Sequence, residues 1–248
     1  MSTVKCDSRL VQPGDTFVAI SGAATDGLRF VGAALQAGAT EIVSEAPRPT
    51  EGVPENVIWR TVADTRAEIA ELACREFGDP SKSLAVFGVT GTNGKTTTAT
   101  LLRKILNDAH IPAGLVSTIS NITAPPRRRT LIDRFIGRPA TERNETVATN
   151  TTPGPLELQS LFAEMLRNGC QSAVMEVSSH AIDQRRIAGT HFAGVAFTNL
   201  TQDHLDYHLT MENYYQAKRK LFMPPQSPAA INLDCPYGRR LVDEIKAS

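Results

Sequence analysis

Lys95 and Thr96 stand directly behind a short loop bracketed by glycines, Gly91-Thr92-Asn93-Gly94, and Thr97 comes next. This is a phosphate-binding set. Glycines let backbone N–H groups approach a triphosphate, a lysine at this place reaches the β/γ-phosphates, and the Thr96 hydroxyl can ligate Mg²⁺. The general pattern Gly-x-x-x-x-Gly-Lys-Ser/Thr is not met, because Val89 stands where its first glycine belongs. The tighter Gly-x-x-Gly-Lys-Thr stands instead. A glycine turn with an incidental Lys-Thr is the plainer alternative, and the flanking strand and helix signals count against it.

Three further groupings bear chemistry. Glu176 lies inside the apolar run Ala173-Val-Met-Glu-Val177. A carboxylate in a buried strand is costly unless paired, protonated or bound to metal. It either meets a cation beyond the strand end or pairs with an arginine. Asp203, His204, Asp206 and His208 crowd the loop after the run Val195–Thr198, a place suited to catalytic or metal-binding side chains and equally to hydrogen bonding alone. Lys218 precedes Arg219 and Lys220, and pattern alone reads these as a basic surface.

The elements that must position these residues are set by periodicity. Leu84–Val89 reads as a buried parallel strand, and Lys95-Thr96 opens a helix with Ala99, Leu101, Leu102 and Ile105 as its apolar positions. Beyond it, Gly114–Thr118, Ser172–Val177, Val195–Thr198 and Ala229–Leu233 read as strands. Leu156–Asn168 and Glu212–Phe222 read as helices. Such alternation predicts an α/β fold: a mainly parallel sheet covered on both faces by helices, in three layers, with ligands beyond the carboxyl ends of the strands. Residues 124–150, rich in proline and carrying Arg127-Arg-Arg129, read as a loop or partly disordered insertion with a solvated basic face.

Residues 1–80 read as a separate small α/β domain. Its strands are Thr16–Ile20, Glu41–Ser44 and Val57–Thr61. One helix presents Phe30, Ala33, Ala34 and Ala37 and stops at Gly38. A second is capped by Asp64 and runs through Phe77 with Ile69, Leu72 and Ala73 inside. Gly78-Asp-Pro-Ser81 marks the boundary to the domain 81–248.

Composition narrows the class. The chain has 248 residues, 41% hydrophobic and 21% charged, with zero formal net charge. Bulk electrostatics therefore point to neither nucleic acid nor a membrane surface as partner. The N-terminus has no apolar signal region, and no apolar run is long enough to span a bilayer. Cys6, Cys74, Cys170 and Cys235 form no C-x-x-C pair, which argues for reduced, buried thiols in a cytoplasmic protein.

Gly91–Thr97, Asn150-Thr-Thr-Pro153, Met175–His180, Phe197–His208 and Tyr215-Gln-Ala-Lys218 together resemble the Mur ligase family of ATP-dependent amide-forming enzymes. Within it they are most like the members that add the third residue to UDP-N-acetylmuramoyl-L-alanyl-D-glutamate. Asp7-Ser-Arg9, Pro13-Gly-Asp15 and Ser21-Gly22 with Asp26-Gly27 resemble the family's uridine-binding N-terminal domain.

The resemblance implies roles. ATP would lie on Gly91, Thr92, Asn93, Gly94, Lys95, Thr96 and Thr97. Thr96, Glu176, His204 and a CO₂-derived carbamate on Lys218 would hold Mg²⁺. Lys95, Lys218 and His204 would be catalytic. Asn150, Thr151, Thr152, Ser178, Gln184 and Arg186 would hold the UDP-muramoyl-dipeptide, with Ser21 on its uridine. The implied partners are that nucleotide and an amino acid, diaminopimelate or lysine, handled by a cytoplasmic monomer without nucleic acid or membrane. Two departures stand out. The chain ends at Ser248 where the family continues, so the central domain reads as incomplete, the C-terminal domain as absent and the chain as a fragment. Asp234-Cys235 stands where the family tends to have two aspartates. Another ligase of the superfamily, of the folylpolyglutamate or cyanophycin synthetase type, and a non-catalytic UDP-nucleotide-binding module are the alternatives.

Overall fold

The computed structural model describes residues 3–22, 26–126 and 144–248. Arg127-Arg-Arg129 lie outside the described residues. The chain divides into two compact units, Met1–Gly78 and Asp79–Ser248. Among the described residues no helix is long and apolar enough to cross a membrane.

The first unit is a four-stranded sheet in chain order, β1 (Val4–Lys5), β2 (Thr16–Val18), β3 (Glu41–Ser44) and β4 (Ile58–Thr61), with every pair parallel. Phe17, Ile42, Ala34 and Val57 form its core. The helix α1 (Val31–Gln36) buries Val31 and Ala34, whereas Phe30 and Ala33 face out. The predicted apolar face is thus rotated, because Gly27–Phe30 makes a tighter 3₁₀ turn that shifts the phase of the helix behind it. The helix α2 (Thr65–Glu76) starts as expected at Asp64, whose carboxylate accepts from the N–H groups of Arg66 and Ala67. Such a cap contributes about 1 kcal/mol.

The second unit carries a seven-stranded sheet. In spatial order it runs β11 (Ala229–Ile231), β10 (Phe192–Phe197), β5 (Ala85–Thr90), β9 (Ser172–Glu176), β6 (Ala113–Val116), β7 (Ser120–Ile122) and β8 (Glu145–Val147). The first five are mutually parallel and the last two join antiparallel. The strand β8 corrects the end of the stretch expected to be irregular, 124–150, of which 127–143 lie outside the described residues. Residues 145–147 pair with Ser120–Ile122, and Ala124 is buried. Both strands are three residues long and largely polar, so they carry too little alternation to read.

Helices cover both faces. On one side α4 (Pro155–Arg167) packs Leu158, Phe162 and Met165 over Val86, Ala173 and Met175. Truncating a residue like Phe162 to alanine would cost about 3–5 kcal/mol. On the other side α3 (Lys95–Asp108) packs Ala99, with Leu102 and Leu106, over Val89 and Val174. This corrects the expected face of that helix, since Leu101 and Ile105 are 54% and 62% exposed. The inner row instead includes Arg103, buried because its guanidinium donates to the carbonyl of Ala113 at 3.0 Å. Strand alternation then assigns Glu176 a side. Met175 faces α4, so Val174 and Glu176 face α3 and the loop that opens it.

Candidate functional site

The carboxyl ends of β5, β9 and β10 meet around Gly91–Thr97. Gly91 has φ of 151°, and a Cβ there would lie 1.9 Å from the hydroxyl of Thr198, so glycine is required. The end of β10 clamps the loop. Thr92 N–H donates to the carbonyl of Asn199 at 2.9 Å, and Asn93 N–H to its side-chain oxygen at 3.0 Å. The Asn199 amide and the Thr198 hydroxyl donate in turn to the carbonyl of Asn93, at 3.0 and 2.7 Å. Gly94, with φ of 83°, caps α3 without a side chain, and the first intrahelical bond is made by Thr98 N–H. The amides of Lys95, Thr96 and Thr97 thus have no intrahelical partner, as an anion site requires.

Lys95 folds back on this loop and donates to the carbonyls of Gly91 and Thr92 at 3.0 and 2.9 Å. Burial holds its amine below the ordinary lysine range, opposed by the charges of Glu176 and Asp203. Thr96 is half-buried, and Asn93 and Thr97 are exposed.

Lys218 corrects the basic-surface reading. It is only 1% exposed, while Arg219 pairs with Glu244 and Lys220 with Asp183. Its amine donates to the carbonyl of Gly91 at 3.0 Å and lies 4.8 Å from the centre of the Tyr214 ring. Burial, helped by the charge of Lys95, lowers its pKa to about 7.

Glu176 is fully buried and, among the described residues, meets no arginine. Thr118 holds it instead: its N–H donates to one carboxylate oxygen at 2.9 Å and its hydroxyl to the other at 3.0 Å. Each oxygen keeps a second lone pair. His204 is exposed, sits at φ of 52° and stands edge-on to the His180 ring at 4.9 Å between centroids. The second histidine of that stretch, His208, is buried, stacks on Tyr214 and bonds the Ser179 hydroxyl at 2.9 Å. Burial lowers the pKa of His208, as does the charge of His180. Asp203 and Asp206 are exposed. Among the described residues no three His, Cys, Asp or Glu side chains converge as a metal cluster. The expected oxygen set is of another kind, with the Thr96 hydroxyl and the Glu176 carboxylate on the α3 side of the sheet, and these donors suit Mg²⁺.

Most of the remaining expected contacts form one network. The Thr152 hydroxyl donates to the carbonyl of Glu176 at 2.9 Å and accepts from Ser178 N–H at 3.0 Å. Arg186 donates to the carbonyl of Thr152 at 2.9 Å and, through two nitrogens, to the side-chain oxygen of Gln184 at 3.1 and 2.7 Å. Thr151 approaches the Thr118 hydroxyl at 3.2 Å. Asn150 is exposed beside this network. Ser21 belongs to the first unit, where it bridges to Asp26 and its carbonyl accepts from Arg66 at 3.2 Å.

The residue signals did not reveal Thr118, Thr198, Asn199 or Tyr207. The Tyr207 hydroxyl donates to Asp183 at 3.1 Å and meets the Gln184 amide at 3.4 Å. Cys6 is exposed while the other three thiols are buried, and Cys235 accepts from Leu200 N–H at 3.3 Å.

Comparison with known proteins places this geometry. Residues 89–248 match the family model described as Mur ligase middle domain, and residues 1–77 the one described as Mur ligase family, catalytic domain. A protein of Phocaeicola vulgatus named UDP-N-acetylmuramoyl-L-alanyl-D-glutamate–2,6-diaminopimelate ligase is 42% identical over 100% of this chain and 47% of its own length. A Gloeobacter violaceus protein of the same name is 44% identical over 95% of the chain and 44% of its own length. The chain thus spans about half the length of the curated relatives it matches. A solved ligase of that name superposes with a TM-score of 0.76 at 28% identity, covering 100% of this chain and 46% of that one. MurF from Acinetobacter baumannii, 22% identical with a TM-score of 0.62 over 99% of this chain and 46% of its own, shares the fold.

Proposed function

We propose, from the premise that this chain belongs to the Mur ligase family, that it forms the nucleotide and UDP-substrate part of a ligase of peptidoglycan precursor synthesis. The reaction would add the third residue to UDP-N-acetylmuramoyl-L-alanyl-D-glutamate. The amino acid would be diaminopimelate or lysine, the former being named for the relatives. The observation that carries this is the meeting of Lys95, Lys218 and the Gly91–Gly94 loop at one strand end, with Glu176 bonded to the Thr151–Thr152 network. We place the protein in the cytoplasm, acting as a monomer, with 1–80 as the UDP-binding domain and 81–248 as the ATP-binding domain.

The reaction has two steps. The substrate carboxylate attacks the γ-phosphate of ATP, releasing ADP and giving an acyl phosphate, and the amine of the incoming amino acid then displaces phosphate through a tetrahedral intermediate, losing a proton as the amide forms. Lys95 leaves the Gly91 and Thr92 carbonyls to meet the β/γ-phosphates, and the open amides of Lys95–Thr97 take phosphate oxygens. Arg186, braced on Gln184 and Thr152, orients the anionic substrate beside Thr151, Ser178 and Asn150. Ser21 serves the uridine. Thr96, Glu176, His204 and carbamylated Lys218 would hold Mg²⁺, which supplies charge neutralisation on the phosphates.

The carbamate has physical support. A buried amine with a pKa of about 7 is about half neutral near pH 7, far more so than an ordinary lysine, and only the neutral amine adds CO₂. Carbamylation also replaces repulsion between Lys95 and Lys218 by attraction. The test is calorimetric titration of the chain with ATP–Mg²⁺ and with UDP-muramoyl-dipeptide, in which both are expected to bind. Nucleotide binding without any response to the UDP compound would overturn the reading.

A further inference from the structure

Glu176 is a buried carboxylate whose two oxygens are held by one residue, Thr118. The register explains how. Val116 of β6 pairs with Met175 of β9, so the chain beyond β6 passes directly beside Glu176. A tight turn then fixes Thr118. The Ser117 hydroxyl donates to the carbonyl of Ser120 at 2.8 Å and accepts from Ser120 N–H at 3.1 Å. Thr118 itself is exposed at the tip of this turn, so burying its side chain is not what holds it there.

One hydroxyl carries one proton. The Thr118 hydroxyl lies 3.0 Å from the Glu176 carboxylate and also donates toward the Thr151 hydroxyl at 3.2 Å, so its one proton is shared between two acceptors. Thr118 therefore links Thr151 to the carboxylate through one hydroxyl, while the neighbouring Thr152 bonds the carbonyl of the same Glu176. The 151–152 strap grips Glu176 at both ends.

We propose that Thr118 is a positioning residue that sets the Glu176 carboxylate for a divalent cation and ties it to the substrate strap at Thr151. This rests on the reading of Glu176 as a cation ligand. Partners one step out from a metal ligand commonly govern affinity by 10- to 100-fold.

The test uses the 248-residue chain and ADP, titrated with Mg²⁺ and with chelator. The quantity read is the gain in ADP affinity that Mg²⁺ provides. Thr118→Val should reduce that gain about 10-fold and leave Mg²⁺-free ADP affinity unchanged, and Thr118→Ser should restore the gain to within about twofold. Thr151→Val should reduce the gain about threefold alone and have no effect on top of Thr118→Val. If the valine variant melts early, Thr118→Ala is compared with the wild type below its transition. An unchanged gain in Thr118→Val, an equal loss with and without Mg²⁺, or a serine variant as weak as the valine one would each overturn the assignment of Thr118. Additive losses for the pair would overturn the link to Thr151. A wild-type chain that binds no ADP, or binds it without regard to Mg²⁺, would overturn the functional reading itself.

Discussion

Lys95 and Lys218 converge on one acceptor: each amine donates to the carbonyl oxygen of Gly91 at 3.0 Å. No more than twice that distance separates the two nitrogens. Two cations so close oppose each other, and the more deeply buried one yields its proton more readily, in line with the pKa of about 7 at Lys218. The lowered pKa of Lys218 lets a neutral amine stand beside the Lys95 ammonium.

Lys95→Ala removes the less buried partner. Among the described residues its bonds go only to loop carbonyls, so the fold should persist with little change in melting temperature. Nucleotide affinity should fall about 10- to 100-fold, the value of one charge-assisted bond of roughly 1.5–3 kcal/mol. Calorimetry with ADP–Mg²⁺ checks this, and unchanged binding would remove Lys95 from the phosphate site.

Lys218 should make stability depend on pH in a defined window. Its folded pKa of about 7 lies below the ordinary value of 10.5, so the unfolded chain binds the extra proton between those values. Stability from this group is therefore lowest below pH 7 and rises toward pH 10.5. Between pH 7 and 9 the rise should be on the order of 2 kcal/mol. Urea unfolding at several pH values, compared with Lys218→Met, reads it, because the variant should lack this rise. The same amine should give a ¹³C carbamate resonance with ¹³CO₂ above pH 7, absent from the variant.

Gly91→Ala tests the clamp between β5 and β10. The added carbon would meet the Thr198 hydroxyl at 1.9 Å and the Asn199 carbonyl at 3.0 Å, in a backbone conformation with φ of 151°. The expected loss is about 3 kcal/mol in urea unfolding, with ADP binding abolished. Adding Thr198→Ala should recover part of the stability, since it removes the nearest atom.

Arg186→Lys tests the substrate network. Lysine cannot reproduce the two bonds to Gln184 together with the one to Thr152. UDP-muramoyl-dipeptide should bind about 10-fold more weakly, while ADP–Mg²⁺ affinity stays as in the wild type. Parallel titrations with the two ligands distinguish this from a general loss of fold.

Legibility depended on whether a signal was contiguous. The Gly91–Thr96 loop could be read because its strand, glycines and helix succeed one another in the chain. Glu176 could be read because a carboxylate in an apolar run is conspicuous. Lys218 could not be read from pattern, since Arg219 and Lys220 disguise it as a surface, and only the family resemblance singled it out. The inner face of α3 is not legible from hydrophobicity, which favours Leu101 and Ile105, because the sheet accepts Arg103, whose guanidinium donates to the carbonyl of Ala113. Tyr207 and Asn199 are ordinary polar residues until their partners are known.

By itself the chain's own order determined the phosphate loop, the α/β alternation and the oddity of a glutamate inside a strand. These depend on local spacing, which is written in consecutive residues. Tertiary structure decided which strands lie side by side. It set β9 between β5 and β6, so that Thr118 reaches a carboxylate 58 positions later in the chain. It also carried Lys218 back 127 positions to the carbonyl of Gly91. Such pairings arise from sheet order and register, and nothing in the residues next to either partner specifies them.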